Sequence, residues 1–328
     1  MDNAKRKKLI WQIPLLLLLV TGTFFVARQR QSEENAKTAF QHNEGFVFST
    51  TYSFTYQHTT DLIEELVAAL EQVDGEFSMF NEHSTVAAIN RGETVARSPM
   101  FQEVYSLAQQ VNADTHGAFD ITVAPLVNAW GFGFKNEQLP TPSEVDSLLK
   151  VRSQLDFSAI AKGYGCDIAA RVLAAHGVKN YMVEIGGEVV TKGHNPGGKP
   201  WRIGVSKPQD SQDDDPAQGE LQTVLNVTDM AMATSGNYRR FYVKGGRKYA
   251  HTIDPRTGYP VQHELLSATV LAPQCALADA YATAFMVLGL DSAKAVIASH
   301  PDMMAYFIYT NEKGELAVWH SPRLEVQD

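Results

Sequence analysis

The chain has 328 residues, 44% hydrophobic and 20% charged. That composition belongs to a folded globular protein, not a disordered or fibrous one, and the length allows one large domain or two fused lobes. The formal charge is −9, and a basic cluster at Lys5, Arg6, Lys7 and Lys8 makes the remaining body more acidic still, which argues against nucleic acid as a partner. Cys166 and Cys275 are the only two cysteines. They show no zinc-motif spacing and no disulfide framework, and a single bridge between them stays open.

Residues 9–26 form an apolar run of about bilayer-spanning length. Four basic residues precede it and Arg28 and Arg30 follow, so the positive-inside rule leaves the N-terminus cytoplasmic and the body outside. A cleaved signal peptide is the competing reading, but no convincing small-x-small site follows the run. No cysteine precedes Cys166 to carry a lipid. The expectation is a single-pass inner-membrane anchor over residues 1–28, a polar tether over 29–44, a periplasmic body over 45–320 and a tail over 321–328.

Alternating aromatic or β-branched and polar residues predict a strand over 46–56. Leu62, Ile63, Leu66, Val67, Leu70 and Val73 recur at helical spacing, with Thr60 or Asp61 as N-cap. A second helix follows Pro99, with Phe101, Val104, Leu107 and Val111 on one face, and a third covers 142–149. Strands are predicted at 181–185, 201–205, 221–227, 239–243 and 266–271, and helices at 276–288 and 292–299. The order is mixed α+β without βαβ alternation. Acidic residues 209–220, including Asp213, Asp214 and Asp215, read as a solvated loop.

Four segments place glycine and polar residues where a plain core would use aliphatics. Residues 117–133, GAFDITVAPLVNAWGFG, suit either backbone approach to a flat ligand or an ordinary turn and strand pair. In residues 155–173, Asp156 and Ser158 precede a helix as capping residues, so its amides could meet an anion, with Lys162 adding a charge; a well-capped structural helix is the plainer reading. Gly186 and Gly187 interrupt a strand, marking either a bulge or close ligand approach. Asp254, Pro255 and Gly258 spell a tight turn that holds His251 and Thr252 nearby. Asp279 and Thr283, four apart on an apolar helix, share a face and suit an oxygen-seeking cation; a buried, hydrogen-bonded Asp is the structural alternative.

In this order, GAFD, DFSAIAKG, EIGGE, TSG, HTIDPRTG and DAYAT resemble the ApbE family, the FAD:protein FMN transferases, over about residues 45–319. The resemblance implies a single two-lobed α+β domain related to the T-fold, here behind a transmembrane anchor, with Mg²⁺ on the pyrophosphate of FAD. It implies metal ligands at the Ala159 carbonyl, Asp279 and Thr283. Flavin-binding positions fall on Phe48, Phe77, Ser78, Met79, Phe80, Ala118, Phe119, Asp120, Asp156, Lys162 and Ile253, with Glu184, Gly187, Ser235 and Gly236 as neighbours. Phe48-Ser49-Thr50 departs from the family's usual Met-Gly-Thr. His251 is the candidate base, oriented by Asp254. The activity implied is transfer of FMN to a threonine of a target with a Ser/Thr-Gly-Ala-Thr-like motif, as in subunits of the sodium-pumping NADH:quinone reductase. The alternatives are a Mg²⁺-dependent FAD pyrophosphatase and a non-catalytic flavin-binding protein.

Overall fold

The computed structural model describes residues 21–23, 25, 39–132, 139–151, 154–208, 220–237, 241–244 and 247–327. The expected anchor lies outside these residues except for 21–23 and 25, as do most of the expected tether and the acidic loop. No helix among the described residues is long and apolar enough to cross a membrane.

The chain opens with a hairpin, β1 (Phe40–Val47) and β2 (Thr50–Gln57), followed by α1 (Ile63–Phe77), α2 (Thr85–Asn90), α3 (Pro99–Asp114), α4 (Ala124–Ala129), α5 (Pro142–Leu148) and α6 (Ala161–Ala175). Next come β3 (Tyr181–Ile185), β4 (Glu188–Lys192), β5 (Trp201–Ser206), β6 (Leu221–Val227), β7 (Ala231–Gly236), β8 (Phe241–Lys244), β9 (Arg247–Ala250) and β10 (Leu265–Ala272). The remaining elements are α7 (Cys275–Leu288), α8 (Leu290–Ser299), β11 (Met304–Thr310), β12 (Leu316–His320) and β13 (Val326–Gln327).

Eight strands form one antiparallel sheet in the order β1-β2-β3-β4-β7-β10-β11-β12. Strand β10 is buried along almost its whole length because both faces of the sheet are covered there. On one face, Ala233, Val270 and Phe307 pack with α7 residues such as Ala280, Ala284 and Phe285. On the other, Met232, Leu271 and Ile308 pack with Ile203, Leu225 and Val227 of the three-stranded sheet β13-β6-β5. The most buried element is α7, whose alanines let neighbours approach closely.

Three local expectations change. The single strand over 46–56 is a hairpin that begins at Phe40, inside the expected tether, and reverses at Phe48 and Ser49, both at positive φ. The glycine pair is likewise a two-residue hairpin turn, because Ile185 pairs with Glu188 while Gly186 and Gly187 take φ 61° and 102°. Residues 124–129 form a short helix in place of the strand in that ordinary turn-and-strand reading.

Capping differs too. Leu62 is the N-cap of α1, while Asp61 Oδ1 accepts the Ile63 amide at 3.0 Å and the Tyr56 hydroxyl at 2.8 Å. The N-cap of α6 is Ile160, without a side-chain cap. Asp156 instead accepts the Ser158 amide at 2.8 Å and closes the preceding turn.

Candidate functional site

The site grows from the crossing of α6 and α7. Asp167, on α6, accepts the amides of Cys275 and Ala276 at 2.8 and 2.9 Å and so caps the start of α7. Gly163 makes the contact possible: a Cβ there would meet the Cys275 carbonyl and lie 2.9 Å from the Ala276 nitrogen. Its own amide donates to Asp279 Oδ2 at 3.1 Å. That bond takes the donor a regular helix would direct at the Ala159 carbonyl. Among the described residues no hydrogen-bond donor reaches the Ala159 carbonyl.

Lys162, beside Gly163, extends between two buried acids, 2.5 Å from Glu188 Oε1 and 3.8 Å from Asp279 Oδ2. Burial pushes the carboxyls of Glu188 and Asp279 upward, and Lys162 opposes that shift in both. Burial also disfavours the charged lysine, but Asp279 and Glu188 together outweigh it and hold the ammonium in its charged form. Farther along the same face of α7, Thr283 Oγ1 lies 3.2 Å from Ser235 Oγ at the end of β7.

Ala159, Asp279 and Thr283 offer a carbonyl, a carboxylate and a hydroxyl, the hard oxygen chemistry that suits Mg²⁺. Among the described residues no group of three or more His, Cys, Asp or Glu converges for a metal ion. A set with one acid, one hydroxyl and one backbone oxygen would leave room for phosphate oxygens.

The other expected residues fall into three neighbourhoods. Phe48 packs across α6, where a Cβ on Gly165 would sit 2.6 Å from its ring. The glycine turn touches the same hairpin tip through the Gly186 amide, which donates to the Thr51 carbonyl at 3.0 Å. Glu184 Oε1 accepts the Gly187 amide at 2.7 Å and closes that turn.

Ala118 and Phe119 are buried, Asp120 Oδ1 accepts both the amide and the hydroxyl of Thr122, and the Asp156 amide donates to the Ile121 carbonyl at 2.7 Å. The two acidic segments therefore run side by side, and burial raises the Asp156 pKa. Phe77 is a core residue, its ring stacked on Phe101, tilted against Phe157 and edge-on to Tyr164. Ser78 Oγ accepts the Asn81 amide, Met79 is partly buried, and the Phe80 ring is exposed.

In the last neighbourhood, Gly236 pairs with Ser267 across β7 and β10, and the Asn237 amide donates to the Leu266 carbonyl. Thr252 donates to Asn237 Oδ1 at 2.6 Å, tying residues 251–261 to the end of β7. Ile253 packs with Leu126, Trp130 and Val145. The His251 ring lies edge-on to Phe132. Asp254 forms the expected turn, its carbonyl accepting the Gly258 amide at 2.7 Å, and its carboxylate is engaged by Arg256 at 2.9 Å through both Nε and Nη2.

Glu188, Gly163 and Asp167 are the members that sequence reasoning missed. A signal for Glu188 was present in EIGGE: with Gly186 and Gly187 as a two-residue turn, residues 185 and 188 face the same side, and Ile185 marks that side as interior. The roles of Gly163 and Asp167 depend on contacts with residues more than one hundred positions away and carry no local signal.

The ApbE family model matches residues 48–308. A Haemophilus influenzae FAD:protein FMN transferase is 35% identical over 82% of this chain and 86% of its own length. The Escherichia coli K12 protein of the same name is 30% identical over 94% and 95%. The solved flavin transferase ApbE from Vibrio cholerae superposes with a TM-score of 0.77 at 32% identity, covering 87% of this chain and 97% of that one. The apo form of Pseudomonas stutzeri flavinyl transferase ApbE gives 0.74 at 30%, over 87% and 95%. With a family match over residues 48–308 and relatives at 30% and 35% identity over most of its length, the chain belongs to the ApbE family.

Proposed function

We propose that this protein transfers FMN from FAD to a threonine hydroxyl of another protein. The observation that supports the reading is the approach of Lys162 and of the Gly163 amide to Asp279 at the α6–α7 crossing, with Thr283 farther along the same α7 face. The threonine oxygen forms a bond to the phosphorus on the flavin side, the pyrophosphate P–O bond breaks, and AMP leaves with the bond electrons. Mg²⁺ held by Ala159, Asp279 and Thr283 would neutralise charge developing on the phosphates. Lys162 adds a fixed positive charge from the protein, and His251 accepts the threonine proton. The Asp254–Arg256 pair stiffens the turn that carries His251, so Asp254 acts on the position of the loop.

On the charge asymmetry of its N-terminal tract, we read the protein as anchored in the inner membrane, with its catalytic body in the periplasm. Its targets would be respiratory-complex subunits bearing a Ser/Thr-Gly-Ala-Thr-like motif. The test is to incubate the protein with FAD and Mg²⁺, with and without a target carrying that motif, and to follow AMP release and the target's mass. A gain equal to FMN on one threonine is expected. Equal FMN release in both arms with no labelled protein would make the enzyme a pyrophosphatase, and no AMP under any metal condition would leave only flavin binding.

A further inference from the structure

Glu188 is 3% exposed. Its Oε1 meets the Lys162 ammonium at 2.5 Å, while Oε2 is buried with no hydrogen-bond partner. The same ammonium has a second acid within reach, Asp279 Oδ2 at 3.8 Å. Coulomb attraction rises as distance falls and is strong where water is scarce, so a lysine between two buried carboxylates is held by whichever approaches closer. Here that is Glu188. Asp279 Oδ2 takes the Gly163 amide, and its ion pair with Lys162 is the longer and looser of the two.

We infer that Glu188 is a positioning residue that restrains Lys162 and so leaves the Asp279 carboxylate able to take a divalent cation. The inference rests on the proposed metal-and-FAD reading and deepens it. Glu188 is poorly placed to bind the ion itself, because one oxygen is committed to the ammonium and the other is enclosed by protein. Without its charge, Lys162 would close on Asp279 and compete with the metal for the same oxygens. Partners that orient a metal ligand typically change metal affinity by roughly tenfold to a hundredfold when removed.

The test measures Mn²⁺ uptake from the electron paramagnetic resonance signal of the free ion, in the presence of FAD, for wild type, Glu188→Gln, Lys162→Met and the double variant. Glu188→Gln should weaken uptake roughly tenfold or more. The double variant, lacking the ammonium that closes on Asp279, should bind within a few-fold of Lys162→Met. An unchanged affinity in Glu188→Gln, or a double variant as weak as Glu188→Gln, would overturn the inference; the second result would mean that Glu188 contacts the ion. If Glu188→Gln fails to fold by circular dichroism, comparing the double variant with Lys162→Met decides alone, weaker binding in the double variant counting against the inference. Wild-type protein that takes up no Mn²⁺ with FAD would overturn the metal reading as well, whereas normal wild-type uptake with an unaffected Glu188→Gln overturns only the role of Glu188.

Discussion

Ser49 adopts φ 60° and Phe48 φ 51° at the tip of the first hairpin. Neither residue favours the left-handed region, where a Cβ crowds the backbone at a cost of roughly 1–2 kcal/mol per residue. The conformation persists because its surroundings hold it: Val47 pairs with Thr50, the Gly186 amide bonds to Thr51, and the Phe48 ring fills the space over Gly165. Strain of this kind commonly collects at binding sites, and Phe48 is an expected flavin contact. Ser49 is exposed, so relieving its backbone disturbs little packing. Ser49→Gly should stabilise the protein by about 0.5–1 kcal/mol after the extra unfolded-state entropy of glycine is subtracted. Urea denaturation checks this, and a lowered midpoint would mean that the serine side chain makes a compensating contact.

At the scale of elements, two helical glycines make opposite demands. Gly75 in α1 has open space where a Cβ would go, whereas a Cβ on Gly163 in α6 would run into the backbone of Cys275 and Ala276. The obstacle at Gly163 is main chain, which cannot rotate aside. Gly75→Ala should therefore gain about 0.5–1 kcal/mol from helix propensity. Gly163→Ala should lose about 1–3 kcal/mol through overpacking, and should also lower transfer activity because its amide orients Asp279. Thermal melting of the two variants side by side separates the effects. A Gly163→Ala protein as stable as wild type would show that the helices can part without cost.

For the whole molecule, the site's acids link stability to pH. Burial outweighs the two amides donated to Asp167 and pushes its pKa up to about 6, above the ordinary 3.9 of the unfolded chain. Between those values the folded state holds more protons than the unfolded state, so this group's contribution falls as pH rises from about 4 to about 6. The change is on the order of 3 kcal/mol. Asp156, Glu184, Glu188 and Asp279 shift in the same direction through burial. Asp167→Asn, which carries no charge at any pH, should be less stable than wild type near pH 4.5 and lose that deficit toward pH 7.5. Denaturation series at both pH values, in the presence of a chelator, provide the measurement; a stability difference independent of pH would exclude titration of Asp167.

The sequence by itself determined the elements whose apolar spacing is local and regular. The strand over 181–185 is β3, the strand over 221–227 is β6, and the expected helix at 276–288 differs from α7 only by Cys275. The ordered motifs likewise identified the family, because each is a short continuous stretch whose residue types survive without reference to their neighbours in space. Only the tertiary structure decided the rest. The first hairpin turns on Phe48 and Ser49, neither of which favours the left-handed region, because the Gly186 turn and α6 hold the tip in place. The Asp254 carboxylate is taken by Arg256, two residues away, in a geometry that composition does not specify. Glu188 meets Lys162 across 26 positions, and Gly163 meets Asp279 across 116. Periodicity reports interactions within a turn or two of chain, whereas the charges and amides of this site are brought together by packing two helices closely at a glycine.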